Sequence, residues 1–207
     1  TRETLDFSDP RQRPRYTGLA SFFRMPYVDE FEGAGLDVGV CGVPFDGGVS
    51  NRPGPRHGPR EVRNQSSLIR GINQATGASP FEALKVADIG DAWIQKPYEL
   101  IGAHREIQDY FERVKAAGVR PLTCGGDHSI SLPILRALAK DAPVGMIHID
   151  AHADINEQMF EEKIAHGTTF RRAFEEGLLE PKRVTQIGLR GSGYSPEDFD
   201  WSREQGF

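Results

Sequence analysis

Five short runs of apolar and β-branched residues recur along the chain, each closed by Gly, Asp or Pro or by the polar residues that follow: LDVGVCGVP (36–44), ALKVADIG (83–90), VRPLTCGG (119–126), PVGMIHID (143–150) and RVTQIGLR (183–190). Runs of that length and punctuation predict strands. Between most of them the pattern changes to helical spacing. In PYELIGAHREIQDYFERVKAAG, Leu100, His104, Ile107, Phe111 and Val114 return every three or four residues and Gly118 supplies a stop. His104 on that stripe reads as a core or boundary histidine with its hydrogen bonds satisfied. Pro59 and Arg60 open a second helix, ISLPILRALAK forms a third, and residues 168–177 a fourth. Strands alternating with helices, the strands apolar at nearly every position, predict an α/β fold: a mainly parallel sheet covered by helices on both faces, in three layers. The 207 residues suit one domain, 1–207.

Composition narrows the function without naming it. The chain is 38% apolar and 27% charged with a formal net charge of -5, which gives no nucleic-acid footprint. Basic residues cluster locally, within 52–63 and at Arg171 and Arg172, and read as solvated faces. Cys41 and Cys124 lie inside apolar runs as small buried thiols, too few for a disulfide framework, which fits a reducing compartment. No apolar stretch approaches the ~20 residues of a membrane span, and the opening TRETLDFSDPRQRPRY is polar and unlike a leader. The expectation is a cytoplasmic protein with no membrane partner.

In a parallel sheet, sites lie beyond the carboxyl ends of the strands. There this sequence places GVPFDGG, GGDHS and DAHAD. Asp150, His152 and Asp154 alternate, and in an extended chain every second side chain points to the same side, so three ligand-type groups would converge. Two carboxylates so close repel each other and lose hydration, penalties that a bound cation removes. With His128 the set offers two imidazoles, two carboxylates and no thiolate, which suits a borderline-hard divalent ion and argues against a sulfur-ligated structural zinc. Asp127 reads as a turn or supporting residue. CGGDHS has neither spacing of a phosphate-binding loop.

GGDHS, HIDAHAD and the downstream HGTTFRR, in this order, together with the loop GVPFDGGVSNRPGPRHGPREVR, resemble the ureohydrolases, the arginase and agmatinase superfamily. The resemblance runs from about Tyr16 to Phe207. It implies an arginase-like fold and two Mn2+ ions, His128 and Asp154 holding one, His152 the other, and Asp150 bridging them. It further implies a proton-shuttle role for His166 and a contact between Asn156 and the substrate tail. The implied reaction is hydrolysis of a linear guanidino compound to urea and an amine, in a homo-oligomer, trimer or hexamer. Within the superfamily the loops are most similar to agmatinase-like enzymes acting on guanidinobutyrate or guanidinopropionate, with agmatine next.

Family members continue to an Asp-x-Asp block that supplies further ligands, and this chain stops at DFDWSREQGF before it, so the C-terminal part is expected to be missing. Asp198 and Asp200 form an Asp-x-Asp pair in a helix-like segment without a preceding strand and are not taken as ligands. Two other classes remain in view: a non-catalytic or metal-poor structural subunit, which a metal count would separate from the enzyme, and zinc deacetylase relatives, which HIDAHAD and His166 weaken.

Overall fold

The computed structural model describes residues 14–207; most of the polar opening stretch, on which the reading of a missing leader rests, lies outside them. The strands are β1 (Val38–Val43), β2 (Val86–Asp91), β3 (Arg120–Gly125), β4 (Val144–Ile149) and β5 (Leu179–Ile187). The helices are α1 (Gly58–Ser66), α2 (Pro80–Ala83), α3 (Leu100–Ala116), α4 (Ser131–Leu138), α5 (Thr169–Glu175) and α6 (Asp200–Gln205). β5 starts four residues before the expected position 183, because Leu179 pairs with Val144 and is itself buried. The register then slips, Met146 facing Val184, so the polar residues between are accommodated as an irregularity.

Every strand pairing is parallel, but the strands form two sheets rather than one, in the orders β2-β1-β3 and β4-β5. The three-stranded sheet has the predicted covering on both faces. On one side the α3 stripe, with Ile107, Phe111 and Val114 fully buried, packs against Cys41, Val43, Ala87 and Ile89. On the other, Phe22 and Met25 close over Val40. The buried thiol of Cys41 has its pKa pushed up to about 12 by desolvation.

Arg63, on α1, forks onto the fully buried Asp88 at 2.8 and 3.0 Å, reaches Asp91 at 2.7 Å and lies 4.1 Å above the Phe22 ring. Arg56 pairs with the buried Asp46, which also accepts from Gly54 N–H at 2.7 Å. The first basic cluster is therefore only partly a solvated face: two of its arginines neutralise buried carboxylates, which would otherwise be costly to desolvate. Arg172, 8% exposed, departs from the solvated-face reading in the same way.

Among the described residues, the two-stranded sheet is covered on one face only. Phe170 and Ala173 of α5 pack with Leu179 and Val184, while Ile147 and Ile149 on the opposite face are 75% and 76% exposed. Helix α4 belongs to both regions, for Leu132 lies in the second core and Ala137 in the first. Arg136 of α4 fastens the two with a bidentate pair to Glu176 at 2.7 and 2.6 Å. Among the described residues, no helix is long and apolar enough to cross a membrane.

Candidate metal centre

β3 ends in two glycines and a tight turn. Gly126 has φ +40, and a Cβ there would come within 2.5 Å of the Val43 carbonyl oxygen and 2.6 Å of that of Phe45, so only glycine fits. The turn delivers Asp127, whose Oδ1 accepts from Ser129 N–H at 2.7 Å and caps the 3-10 turn His128–Ile130. Its Oδ2 accepts from Gly48 N–H at 2.8 Å, tying the loop after β1 to the loop after β3. Asp127 thus acts as a turn residue and as a link between loops.

Ser129 also receives His104 from below, with Nε2 of the ring 3.2 Å from Oγ, while His104 Nδ1 has no partner among the described residues. The expected core histidine is therefore satisfied at one nitrogen only. Burial, together with the charge of Arg136, lowers its pKa to about 4, which keeps the ring neutral.

The strand β4 delivers Asp150, whose N–H continues the ladder to Ile187 O at 3.0 Å. Its two carboxylate oxygens then face different ways. Oδ1 accepts from His152 N–H at 2.9 Å, and Oδ2 lies 3.3 Å from His128 Nδ1 and 3.4 Å from His148 Nε2. Beyond Asp150 the chain is no longer extended, so the alternation expected over 150–154 does not hold in full. Asp154 has φ +50, a left-handed conformation that turns its side chain inward, and its Oδ2 lies 2.7 Å from His128 Nδ1. His152 instead remains 68% exposed, its Nδ1 3.8 Å from the other Asp150 oxygen. The four sequence-selected residues are thus gathered around Asp150, three of them tightly and His152 at the rim.

Electrostatics reflect this crowding. Burial works against a charge on His128, but the hydrogen bond to Asp154 and the fields of Asp154 and Asp150 outweigh it and raise its pKa. Asp150 shows the same balance from the other side: desolvation opposes its charge, yet the His152 N–H and the nearby His128 hold its pKa below the usual carboxylate value. The donor set of imidazoles and carboxylates, with His128 Nδ1 facing two carboxylates and no ammonium or guanidinium among these close contacts, fits a divalent cation.

His166 sits in the 3-10 turn leading into α5. Its backbone N–H and its Nδ1 both meet the Gly48 carbonyl, at 3.1 and 2.8 Å. A carbonyl oxygen only accepts, so Nδ1 carries a proton and Nε2 is the free nitrogen of the neutral ring. Gly48 must be glycine here, since a Cβ would lie 2.5 Å from Ser129 Oγ. Thr169 Oγ1, 3.2 Å from the His128 carbonyl, joins this turn to the His128 turn. Asn156 is exposed, and its N–H donates to Gly167 O at 3.0 Å, beside His166. Asp198 and Asp200 are engaged locally, Asp198 accepting from Tyr194 N–H at 2.6 Å and Asp200 pairing with Arg203 at 3.1 Å in α6.

Sequence reasoning passed over Gly48 and His148. His148 had a visible signal, for it is two residues before Asp150 and the alternation that selected Asp150 and His152 places it on the same side. His148, with Thr123, His128 and Asp150, lines an open cleft of ≈ 500 Å³ between the ends of β3 and β4.

Parallel strands that deliver imidazoles and carboxylates from their carboxyl ends define an α/β protein with a candidate His–Asp cation site. The chain belongs to the arginase family, which it matches over residues 36–207. It is 54% identical over 198 residues to a guanidinobutyrase of Pseudomonas aeruginosa, covering 95% of this chain and 62% of that protein. It is 46% identical over 215 residues to a human mitochondrial guanidino acid hydrolase, covering 100% of this chain and 60% of the relative. Among solved structures, proclavaminate amidino hydrolase from Streptomyces clavuligerus superposes with a TM-score of 0.86 at 36% identity, covering 93% of this chain and 64% of that one. A Trypanosoma cruzi formiminoglutamase solved with Mn2+2 gives a TM-score of 0.73 at 28% identity, over 84% of this chain and 59% of its own. The chain spans about 60% of the length of the relatives it matches.

Proposed function

We propose that the full-length protein is a dimanganese amidinohydrolase that cleaves a linear guanidino compound to urea and an amine. The observation that carries this reading is the Asp150 carboxylate, which turns one oxygen to His128 and the other toward His152, with Asp154 beside His128. His128 and Asp154 would hold one ion and His152 the other, with Asp150 shared. A pair of such ions, when bound, supplies a water acidified toward a pKa of ~7 and stabilises the charge that develops on the reacting centre.

The rest falls to the chain itself. A guanidinium is cationic and resonance-stabilised, so its central carbon is a poor electrophile, and its C–N bond breaks only when the departing amine receives a proton. His166 is read as the group that makes that transfer; the Gly48 carbonyl occupying Nδ1, which leaves Nε2 to exchange the proton, supports this reading. Asn156, on the segment hydrogen-bonded to Gly167, is read as a contact for the substrate tail. The names of the relatives and the loop held by the Asp46–Arg56 pair favour guanidinobutyrate or guanidinopropionate, with agmatine after them. The reading carries with it a cytoplasmic homo-oligomer, trimer or hexamer, with no nucleic-acid or membrane partner; light scattering tests the assembly.

The test strips the longest natural chain containing these residues with a chelator and restores Mn2+, Mg2+ or Ca2+, following urea release from the three substrates. Mn2+ is expected to restore most activity, since the set is too rich in nitrogen for the two harder ions. Equal rescue by Mg2+ would sink the assigned site chemistry, and bound metal well below two per chain would favour a structural subunit instead.

A further inference from the structure

His148 is the only buried residue of β4, its ring lies 4.4 Å from that of Phe170, and its Nε2 closes no hydrogen bond. Its ligand atom and those of His128 and Asp150 lie within 4.8 Å of one another, so distance alone makes it a candidate third ligand. Hydrogen-bond polarity decides otherwise. The side-chain nitrogen of Gln186, on β5, lies 2.7 Å from the Ala153 carbonyl oxygen. That oxygen only accepts, and turning the amide over would set two oxygens face to face, so the group there is the NH2. The same NH2 lies 3.0 Å from His148 Nδ1, which must therefore accept. A neutral imidazole that accepts at Nδ1 carries its proton on Nε2, and Nε2 is the nitrogen 3.4 Å from Asp150 Oδ2. A protonated Nε2 has no lone pair to give a cation.

We infer that Gln186 and His148 form a relay that orients Asp150, with His148 a positioning residue and not a ligand. The relay fixes the direction of the donor: Gln186 donates to His148, and His148 turns its Nε2–H toward the carboxylate at 3.4 Å, a contact that is not yet a closed hydrogen bond. Oδ1 of Asp150 is held by the His152 N–H, and Oδ2 faces the protonated Nε2 of His148, so each oxygen has a donor on its own side. The inference rests on the reading of Asp150 as a metal-binding carboxylate.

Two measurements test it on the longest natural chain containing these residues. In the metal-free, 15N-labelled protein at alkaline pH, two-bond 15N–1H correlations report which nitrogen of His148 bears the proton. The expected result is a protonated Nε2 and a bare Nδ1; the reverse tautomer would overturn the relay. In Gln186→Met the preference should weaken, and an unchanged tautomer would show that Gln186 does not set it. Mn2+ affinity is then measured by competition with a chelating indicator. Gln at 148 can place an N–H near the Nε2 position but has no imidazole lone pair, whereas Phe has neither. His148→Phe is expected to weaken Mn2+ binding roughly 10–100-fold, while His148→Gln recovers most of the loss. Equal loss in both variants, with both folded by circular dichroism, would instead make His148 a ligand. Neither arm uses a substrate, so failure of the hydrolase reading and failure of this inference can be told apart.

Discussion

In β1 five of six residues are buried, whereas in β4 the only buried residue is His148. The first strand lies between α3 and the Phe22 cluster and is held from both sides; the second has α5 on one face and solvent on the other. Apolar burial at roughly 25 cal/mol per Å² dominates local stability, so within residues 14–207 the two sheets contribute unequally. Yet Asp150, His152 and Asp154 all follow the thinner sheet, and only His128 comes from the better-packed one. The site therefore spans a boundary, and its geometry depends on the shared helix α4, the Arg136–Glu176 pair and the contacts of Gly48 and Thr169. A cation bound across that boundary would stabilise mainly the second region, since ligand binding adds stability to whatever it holds together.

The largest effect should come from the centre of the boundary. Asp150→Asn keeps the shape of the side chain and removes its charge, so urea release by the longest natural chain should fall to background while circular dichroism stays near that of the parent. Near-parental turnover would end the dimetal reading. Next in size is the first core: Phe111→Ala should cost about 3–5 kcal/mol in chemical denaturation, because a fully buried ring leaves a cavity.

Acid should act at nearly that scale through His104. Its pKa is about 4 in the folded protein and about 6.5 in the unfolded chain, so the unfolded state binds more protons between those values and stability falls as pH drops from 6.5 to 4. The full loss is on the order of 3 kcal/mol, and His104→Leu should flatten that limb of a pH–stability curve. Smallest is the second core, where Val184→Ala should cost about 1–2 kcal/mol. Its effect should show first in hydrogen exchange of β4 and β5; equal acceleration in β1 would mean that the two regions open together.

The sequence carried some of this and hid the rest. Strands were legible because their apolar runs are continuous, and the α3 stripe because its period is local. Which strands become neighbours is set by contacts distant along the chain, and nothing in the β3 and β4 runs shows that they do not pair with each other. Buried carboxylates were hidden for the same reason: Asp88 is 25 residues from the guanidinium of Arg63 that neutralises it. The His–Asp cluster was legible in composition and only partly in geometry, since alternation assumes an extended chain and the chain bends after Asp150. His152 was consequently expected inside and lies at the rim, whereas His148, within the strand, obeys the rule and was overlooked.

The left-handed backbone at Asp154 narrows the choice of residue there almost to one. Among the twenty side chains, glycine, asparagine and aspartate tolerate that conformation best. Glycine has no donor atom and asparagine no charge. Glutamate has the charge, but it lacks the short side chain that makes a left-handed residue tolerable. On the proposed ligand role, backbone shape and ligand chemistry act as two independent filters on one codon, and aspartate passes both. Substitution at this position can separate them: Asp154→Asn changes the charge on an unchanged backbone, and Asp154→Glu keeps the charge and strains the turn.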